Sequence, residues 1–500
     1  MKFRFPILLL AACAATLPAA ERPNLIVIMA DDLGYGDVSC NGSKSISTPN
    51  IDKVAAEGLR FTSGYCSAST CTPTRASFLT GTYAFRIKNS GIAPPNGPAI
   101  IRPGTPTLAS MLKKQGYATA VIGKWHLGLG VEKPDWNGEL KPGPLEIGFD
   151  RCFLLPTTND RVPQVFVENH RVRNLDPKDP LWVGDQQPSP DHPTGISHRD
   201  ELKMDWSHGH NGTIHNGISR IGYYTGGHAA RFRDQDLADE WVKQSNAWME
   251  ENKDKPFFLF LASHDLHVPR APHERFVGKS GMGPRGDCII EFDWTIGEIM
   301  KTVERLGLSE KTMVVICSDN GPVLDDGYKD DAVEKLGDHK PAGPFSGGKY
   351  STLEGGTRTP FITWWKGRIQ PGVSDEIVCT IDLAASMAKL TGAKLEENGF
   401  LDSMDVSAAL IGETGAKGRT NLLQQDNNGQ KLGLRAGNWK LVKVGKGKGP
   451  KSPGNQMLYN LAEDPAEQTN VAKDHPQEFE RMKKLLTGII EGERTRPAAP

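Results

Sequence analysis

The chain has 500 residues, enough for a large core and for two domains. Its 59 Lys and Arg balance 60 Asp and Glu to a net charge of −1, which argues against a nucleic-acid partner or a membrane-surface stripe. No long apolar segment follows the N-terminus, so no transmembrane segment is expected.

Residues 1–20 read as an export signal. Lys2 and Arg4 give a positive start, residues 7–17 an apolar stretch, and Ala19-Ala20 a small-residue exit. The mature protein is therefore expected to be periplasmic or secreted. Leu10-Ala11-Ala12-Cys13 also resembles a bacterial lipoprotein box, and a lipid anchor on Cys13 is the alternative. The eight cysteines show no zinc-type spacing. Cys317 lies inside an apolar run and reads as a buried small hydrophobe.

Four apolar runs follow, and each ends in a polar cluster. Residues 25–30 lead into Asp31-Asp32, and 118–122 into Gly123-Lys124-Trp125-His126. Residues 257–262 lead into Ser263-His264-Asp265-Leu266-His267, and 313–317 into Ser318-Asp319-Asn320-Gly321. Continuous apolar runs of this length fit strands buried on both faces of a largely parallel sheet, so the fold class is α/β. The polar clusters then gather at the C-terminal edge, where open α/β sheets bind ligands. Helices are expected from Thr48-Pro49 to Gly58 and from Thr105-Pro106 to Gly116, with Pro entering and Gly leaving. Residues 238–252 and 292–306 also show helical periodicity.

Residues 151–235, rich in Pro, Asn, His and Gly, read as long loops over the sheet edge. Asp160, Arg161, Asn169, His208, His210 and Asn211 are the side chains expected to shape a pocket there. Beyond about residue 390 the pattern changes. Residues 432–444 read as strands around Gly437-Asn438, 445–454 as a basic Gly/Pro-rich loop, and 476–491 as a closing helix. The division expected is 21–390 for a catalytic unit and 391–500 for a small C-terminal α+β domain.

Cys71-Thr72-Pro73-Thr74-Arg75 sits at the mouth of another predicted helix. Thr72 is expected to cap it, and Pro73 suits its first turn. Cys71 then faces the positive helix end, a ready site for an anion, and Arg75 adds a bidentate donor one turn on. A structural cysteine is the competing reading of these five residues. Asp31, Asp32, Asp319 and Asn320 offer only oxygen ligands, which suit Ca²⁺ or Mg²⁺, with flexible coordination favouring Ca²⁺. For Asp31-Asp32 alone, a solvated turn would explain the residues as well. Lys124 and His126 lie two apart after a strand, so both point into one loop pocket.

Together these segments resemble the type I, formylglycine-dependent sulfatases of the alkaline phosphatase superfamily. The likeness is strongest at residues 31–37, 71–81, 123–128, 319–322 and 347–360. It implies an alkaline-phosphatase-like α/β sandwich with a small C-terminal domain. It also implies that Cys71 is oxidised to formylglycine by a formylglycine-generating or anaerobic sulfatase-maturing enzyme, and that the aldehyde hydrate is the nucleophile. One Ca²⁺ would be held by Asp31, Asp32, Asp319, Asn320 and residue 71. By the same resemblance Lys124 and Lys349 hold sulfate oxygens, His126 orients the hydrate or takes its proton, His267 contacts the ester oxygen and Thr158 supplies a sulfate contact. His264 is expected to stand aside. Glu354 and Arg358, and the segment Leu458-Tyr459-Asn460-Leu461 through Asp464-Pro465-Ala466-Glu467 and Asn470, are assigned to structure and packing.

The reaction implied is in-line attack on sulfur with release of an alcohol and then of sulfate. An exported enzyme with a polar, loop-walled pocket fits a sulfated carbohydrate better than a small aryl sulfate. Two alternatives stand beside it. One is a phosphodiesterase or phosphonate monoester hydrolase of the same superfamily. The other is a glycan-binding protein with a dead site, which would need an unmodified Cys71.

Overall fold

A computed structural model describes residues 22–444 and 455–497. The export signal with Cys13 and the basic loop at 445–454 lie outside them. No helix among the described residues is long and apolar enough to cross a membrane.

The centre is a ten-stranded sheet. Five of its strands are β1 (Asn24–Ala30), β2 (Ala118–Lys124), β3 (Arg151–Leu155), β4 (Phe257–Ala262) and β5 (Thr312–Ser318). They run parallel in the spatial order β5-β1-β4-β2-β3. Ile362–Trp364, Leu59–Phe61 and Gly372–Ser374 extend the sheet beyond β5, and Val167–Glu168 and Arg171–Val172 extend it beyond β3.

The apolar runs are unbroken because both faces are covered. Alternate side chains of a strand point to opposite faces. Leu25, Val27 and Met29 therefore join one core cluster with Val121, Phe260 and Val315. Ile26, Ile28 and Ala30 join another with Ile122, Leu259 and Ile316. The first cluster is roofed by α2 (Cys71–Thr80), α3 (Leu108–Lys114) and α7 (Leu383–Thr391). The second is roofed by α1 (Pro49–Glu57), α4 (Leu237–Asn252) and α5 (Gly283–Arg305). A single turn, α6 (Glu354–Thr357), lies between Lys349 and the strand Ile362–Trp364.

Several expectations need correcting. Residues 151–155 are not loop but β3, a short apolar stretch paired with β2. The rest of 156–235 carries short strands, such as Ile214–His215 against Ile218–Ser219, and single 3-10 turns such as Arg199–Glu201. The helix expected from Thr105-Pro106 starts at Leu108, because the Thr107 side chain accepts the Ser110 N–H at 3.0 Å and fixes the cap there. Helix α5 starts at Gly283, well before residue 292. Its first turns carry Arg285 and Asp287, whose buried charges hide the helical period: Arg285 pairs with Asp37, and Asp287 accepts the Gly278 and Ser280 N–H groups. The seven described cysteines are all free, and Cys317 is buried in the first core cluster.

Towards the C-terminus Phe400, Val406, Leu410 and Ile411 still pack into the first core cluster. A separate antiparallel sheet then follows, in the order Asn421–Gln425, Leu432–Ala436, Trp439–Val444, Asn455–Asn460. With α8 (Pro476–Glu491) it encloses Leu422, Leu434, Leu441, Leu458, Met482 and Leu486, together with Tyr65 and Tyr83 of the larger unit.

Candidate active site

The C-terminal ends of β1, β2, β4 and β5 all open at one sheet edge, because these strands are parallel neighbours in register. That edge assembles the polar clusters read from the sequence. Asp31 and Asp32 leave β1, Asp319 and Asn320 leave β5, and Lys124 ends β2 with His126 just beyond. His267 follows β4. All of these side chains are buried.

Cys71 is the first residue of α2, and its sulfur lies 3.2 Å from His126 Nδ1. His126 Nε2 lies 3.1 Å from the Ala93 carbonyl oxygen. A carbonyl only accepts, so Nε2 carries the ring proton and Nδ1 presents a lone pair to residue 71. Burial, helped by Lys124 and Arg161, holds the His126 pKa well below the ordinary histidine value and keeps it neutral. The N-cap of α2 is Thr70, not Thr72. The Thr72 hydroxyl donates instead to the His126 carbonyl at 2.9 Å and accepts the Ala93 N–H at 3.1 Å, pinning the histidine loop to the helix.

Arg75 is fully buried, and its Nη2, 2.9 Å from Asp319 Oδ2, has no hydrogen-bond partner among the described residues. Nε donates to Asp319 Oδ2 at 2.9 Å and Nη1 to the Lys124 carbonyl at 2.8 Å. Lys124 Nζ pairs with Asp31 Oδ2. Lys349 Nζ pairs with Asp32 Oδ2 at 2.9 Å and with Asp326 Oδ2 at 2.7 Å. Asn320 Nδ2 donates to Asp32 Oδ1 at 2.7 Å. Asp326 was not legible in the sequence, since nothing distinguishes Asp325-Asp326-Gly327 from an ordinary turn.

Two buried oxygens in this cluster, Asp31 Oδ1 and Asn320 Oδ1, have no hydrogen-bond partner among the described residues. Burial, with Asp319 beside it, pushes the Asp31 carboxyl well above the usual carboxylate range, and burial also raises Asp32 against the pull of Lys349. Unpartnered oxygens and crowded carboxylates of this kind fit a hard cation with oxygen ligands. The residues present, Asp31, Asp32, Asp319 and Asn320, therefore match a Ca²⁺ cage in chemistry.

One His267 ring nitrogen lies within 4.8 Å of carboxylate oxygens of Asp31 and Asp32. Its Nδ1 donates to the Val268 carbonyl at 2.7 Å, so the neutral ring keeps its free lone pair on Nε2. Burial, Lys349 and Lys124 all depress its pKa well below the ordinary value. His264 points elsewhere: its Nδ1 accepts the Trp241 indole N–H at 3.1 Å, under α4.

Of the loop residues, Asp160, Arg161 and His210 gather beside His267. Arg161 Nη1 grips both Asp160 oxygens at 2.9 Å, His210 Nε2 lies 3.0 Å from Asp160 Oδ2, and Asp160 Oδ1 is 4.0 Å from His267 Nδ1. Although burial raises it, Asp160 is held well below the usual range by Arg161, His267 and His210. The Thr158 hydroxyl gives its proton to Asp160 and accepts from Arg161 at 3.1 Å. Asn169 is not part of this group. It turns the hairpin between Val167–Glu168 and Arg171–Val172, where its side chain accepts the Cys152 N–H at 3.2 Å.

A family model described as Sulfatase matches residues 23–393. The chain is 44% identical to an N-acetylgalactosamine-6-O-sulfatase of Bacteroides thetaiotaomicron over 485 residues, covering 94% of this chain and 93% of the relative. It is 33% identical to human arylsulfatase A over 508 residues, covering 96% of this chain and 90% of that protein. A solved structure from work on the metabolism of multiple glycosaminoglycans by Bacteroides thetaiotaomicron has a TM-score of 0.91 at 44% identity, covering 94% of this chain and 99% of that one. A structure in complex with a neocarrahexaose, at 23% identity and a TM-score of 0.69 over 93% of this chain and 92% of that one, is alike in fold alone.

Proposed function

The chain belongs to the sulfatase family, enzymes that hydrolyse sulfuric esters, and on that premise we propose that it removes the 6-O-sulfate of N-acetylgalactosamine in a sulfated glycan. The relative at 44% identity carries that activity in its name and aligns over nearly the whole of both chains, which supports the substrate class. The observation that carries the chemistry is the Cys71 sulfur, 3.2 Å from a neutral His126 Nδ1 and ringed by Lys124, Lys349 and the carboxylates.

Formylglycine made from Cys71 would supply, as its hydrate, the attacking hydroxyl. Asp31, Asp32, Asp319 and Asn320 would hold one Ca²⁺, which would offset the negative charge of the sulfuryl oxygens. The protein's own residues do the rest. His126 Nδ1 takes the proton of the hydroxyl at position 71 while its Nε2–H, donated to the Ala93 carbonyl, keeps the ring in place. Lys124 and Lys349, each now paired with a carboxylate, exchange part of that pairing for the sulfuryl oxygens. Arg75 acts one step back, tying Asp319 to the Lys124 backbone. His267 protonates the leaving oxygen from Nε2. It must first become an imidazolium, which the arriving sulfate anion favours by offsetting Lys124 and Lys349. Asp160, Arg161 and His210 present the polar wall that a sugar's hydroxyls would meet. Maturation calls for a formylglycine-generating or anaerobic sulfatase-maturing enzyme, and the N-terminal signal for export to the periplasm or beyond.

Sulfate release from N-acetylgalactosamine 6-sulfate, N-acetylgalactosamine 4-sulfate and N-acetylglucosamine 6-sulfate, set beside phenol release from a phenyl phosphonate monoester, tests this reading. The first substrate should be cleaved with the highest kcat/KM. Preference for another sugar sulfate would overturn the substrate, and preference for the phosphonate would overturn the reaction.

A further inference from the structure

Glu467 lies in a segment assigned from sequence to packing, in the loop between the strand Asn455–Asn460 and α8, yet its carboxylate reaches α6. It is buried, and its Oε2 accepts the backbone N–H of Glu354 at 2.5 Å. The turn around it is built for that reach. Asp464 Oδ2 accepts the N–H groups of Gln468 and Thr469 at 2.7 and 2.8 Å, and Glu467 itself sits at φ 54.

Glu354 opens α6, and α6 ties three catalytic segments together through backbone alone. Cys66 N–H, on the way to Cys71, donates to the Thr357 carbonyl at 2.9 Å. Gly321 N–H, next to Asn320, donates to the Gly356 carbonyl at 2.9 Å. Gly355 N–H donates to the Ser346 carbonyl at 2.8 Å, in the loop that carries Lys349. A Cβ placed on Gly321 would lie 1.8 Å from the Gly355 carbonyl oxygen, so no side chain cushions this contact. The Glu354 side chain is gripped by Lys440 at 2.7 Å and Arg358 at 3.2 Å, and Lys440 Nζ also lies 3.8 Å from Glu467 Oε1. That leaves Glu467 as the acceptor for its backbone.

We infer that Glu467 is a positioning residue: by holding the Glu354 N–H it fixes α6, and through α6 the loop that sets Lys349 against the sulfate. The inference rests on the reading of Lys349 as a sulfate contact. Glu467→Ala, Glu467→Asp and Glu467→Gln test it, with N-acetylgalactosamine 6-sulfate as substrate and inorganic sulfate as inhibitor, all measured well below each variant's Tm. Ala and Asp cannot reach the Glu354 N–H. They should lower kcat/KM by about 10–10²-fold, the usual consequence of a displacement near 1 Å, and weaken sulfate inhibition in parallel. Gln offers an amide oxygen in the same place and should restore both. Lower Tm with unchanged kcat/KM and sulfate inhibition in the Ala or Asp enzyme overturns the inference, as does failure of Gln to rescue. Should Ala not fold, Asp alone decides, since it keeps the charge and suits a positive φ. Lys349→Ala separates the two claims. Unchanged sulfate inhibition there contradicts the role of Lys349 itself, whereas loss there with none at Glu467 contradicts only the coupling.

Discussion

At the scale of single residues, the two histidines of the site differ in which nitrogen is free, and their proposed roles follow that difference. The His126 ring is anchored through Nε2 to the Ala93 carbonyl and presents Nδ1 to position 71, as the proposed base must. The His267 ring is anchored through Nδ1 to the Val268 carbonyl, so it can give a proton only from Nε2 and only after gaining one. Proton donation matters most when the leaving group is a poor one. His267→Ala should therefore cut turnover of a sugar sulfate by about 10²–10⁴-fold while sparing a nitrophenyl sulfate. His264→Ala should spare both, because His264 serves Trp241 under α4. Steady-state kinetics on the two substrates decide the matter: equal losses would make His267 a binding residue, and a selective loss in His264→Ala would exchange the two roles. The identities of these residues were legible in the sequence because each follows an apolar run. Their ring orientations were not, because Ala93 comes from a distant loop and Val268 acts through its backbone. Thr72 misled for a similar reason, as its hydroxyl serves the His126 backbone rather than the helix end.

At the scale of elements, two parallel strand ends bring Asp31, Asp32, Asp319 and Asn320 together, and Asp319 has a second duty in neutralising the buried Arg75. Asp319→Ala should abolish activity and cost about 3–5 kcal/mol, the usual result of stranding one partner of a buried ion pair. Added Ca²⁺ should raise the Tm of the wild type after chelation but not that of Asp319→Ala. Calorimetry with and without chelator measures this, and an unchanged wild-type Tm on chelation would remove the cation from the account. A second element-scale prediction concerns the C-terminal part of the chain. Burial, only partly offset by Lys440 and reinforced by Glu354, pushes the Glu467 carboxyl to about 7. Its folded pKa exceeds its unfolded one. The stability it contributes is therefore complete below about pH 4 and is lost as pH rises through about 7. Glu467→Gln should flatten the fall in Tm between pH 5 and pH 8, and an unaltered slope would contradict the shift. Strands were the most legible elements, because runs such as 25–30 and 313–317 carry no polar interruption. Helix α5 was only half legible: its N-terminal turns bury Arg285 and Asp287, whose partners Asp37 and Ser280 cannot be inferred from helical periodicity.

At the scale of the whole molecule, one sheet edge gathers the candidate site, and the C-terminal part of the chain meets α6 beside it through Glu354. The parallel α/β layout and the strand-end cluster follow from local sequence, since each apolar run can be recognised alone. The meeting at α6 does not, because Lys440, Arg435 and Glu467 meet Glu354 and Tyr65 only after distant segments have folded together. Asp326 on Lys349 escapes for the same reason. The proposed activity rests on position 71, and one measurement tests that most directly. Preparations with graded conversion of Cys71, produced by varying co-expression of a maturing enzyme, are assayed for sulfate release from N-acetylgalactosamine 6-sulfate. The formylglycine content of the peptide containing residue 71 is read by mass spectrometry in parallel, and Cys71→Ser serves as the zero point. The account predicts turnover proportional to formylglycine content, with none at zero conversion and none in Cys71→Ser. Full turnover from a chain whose Cys71 is wholly unmodified would contradict it.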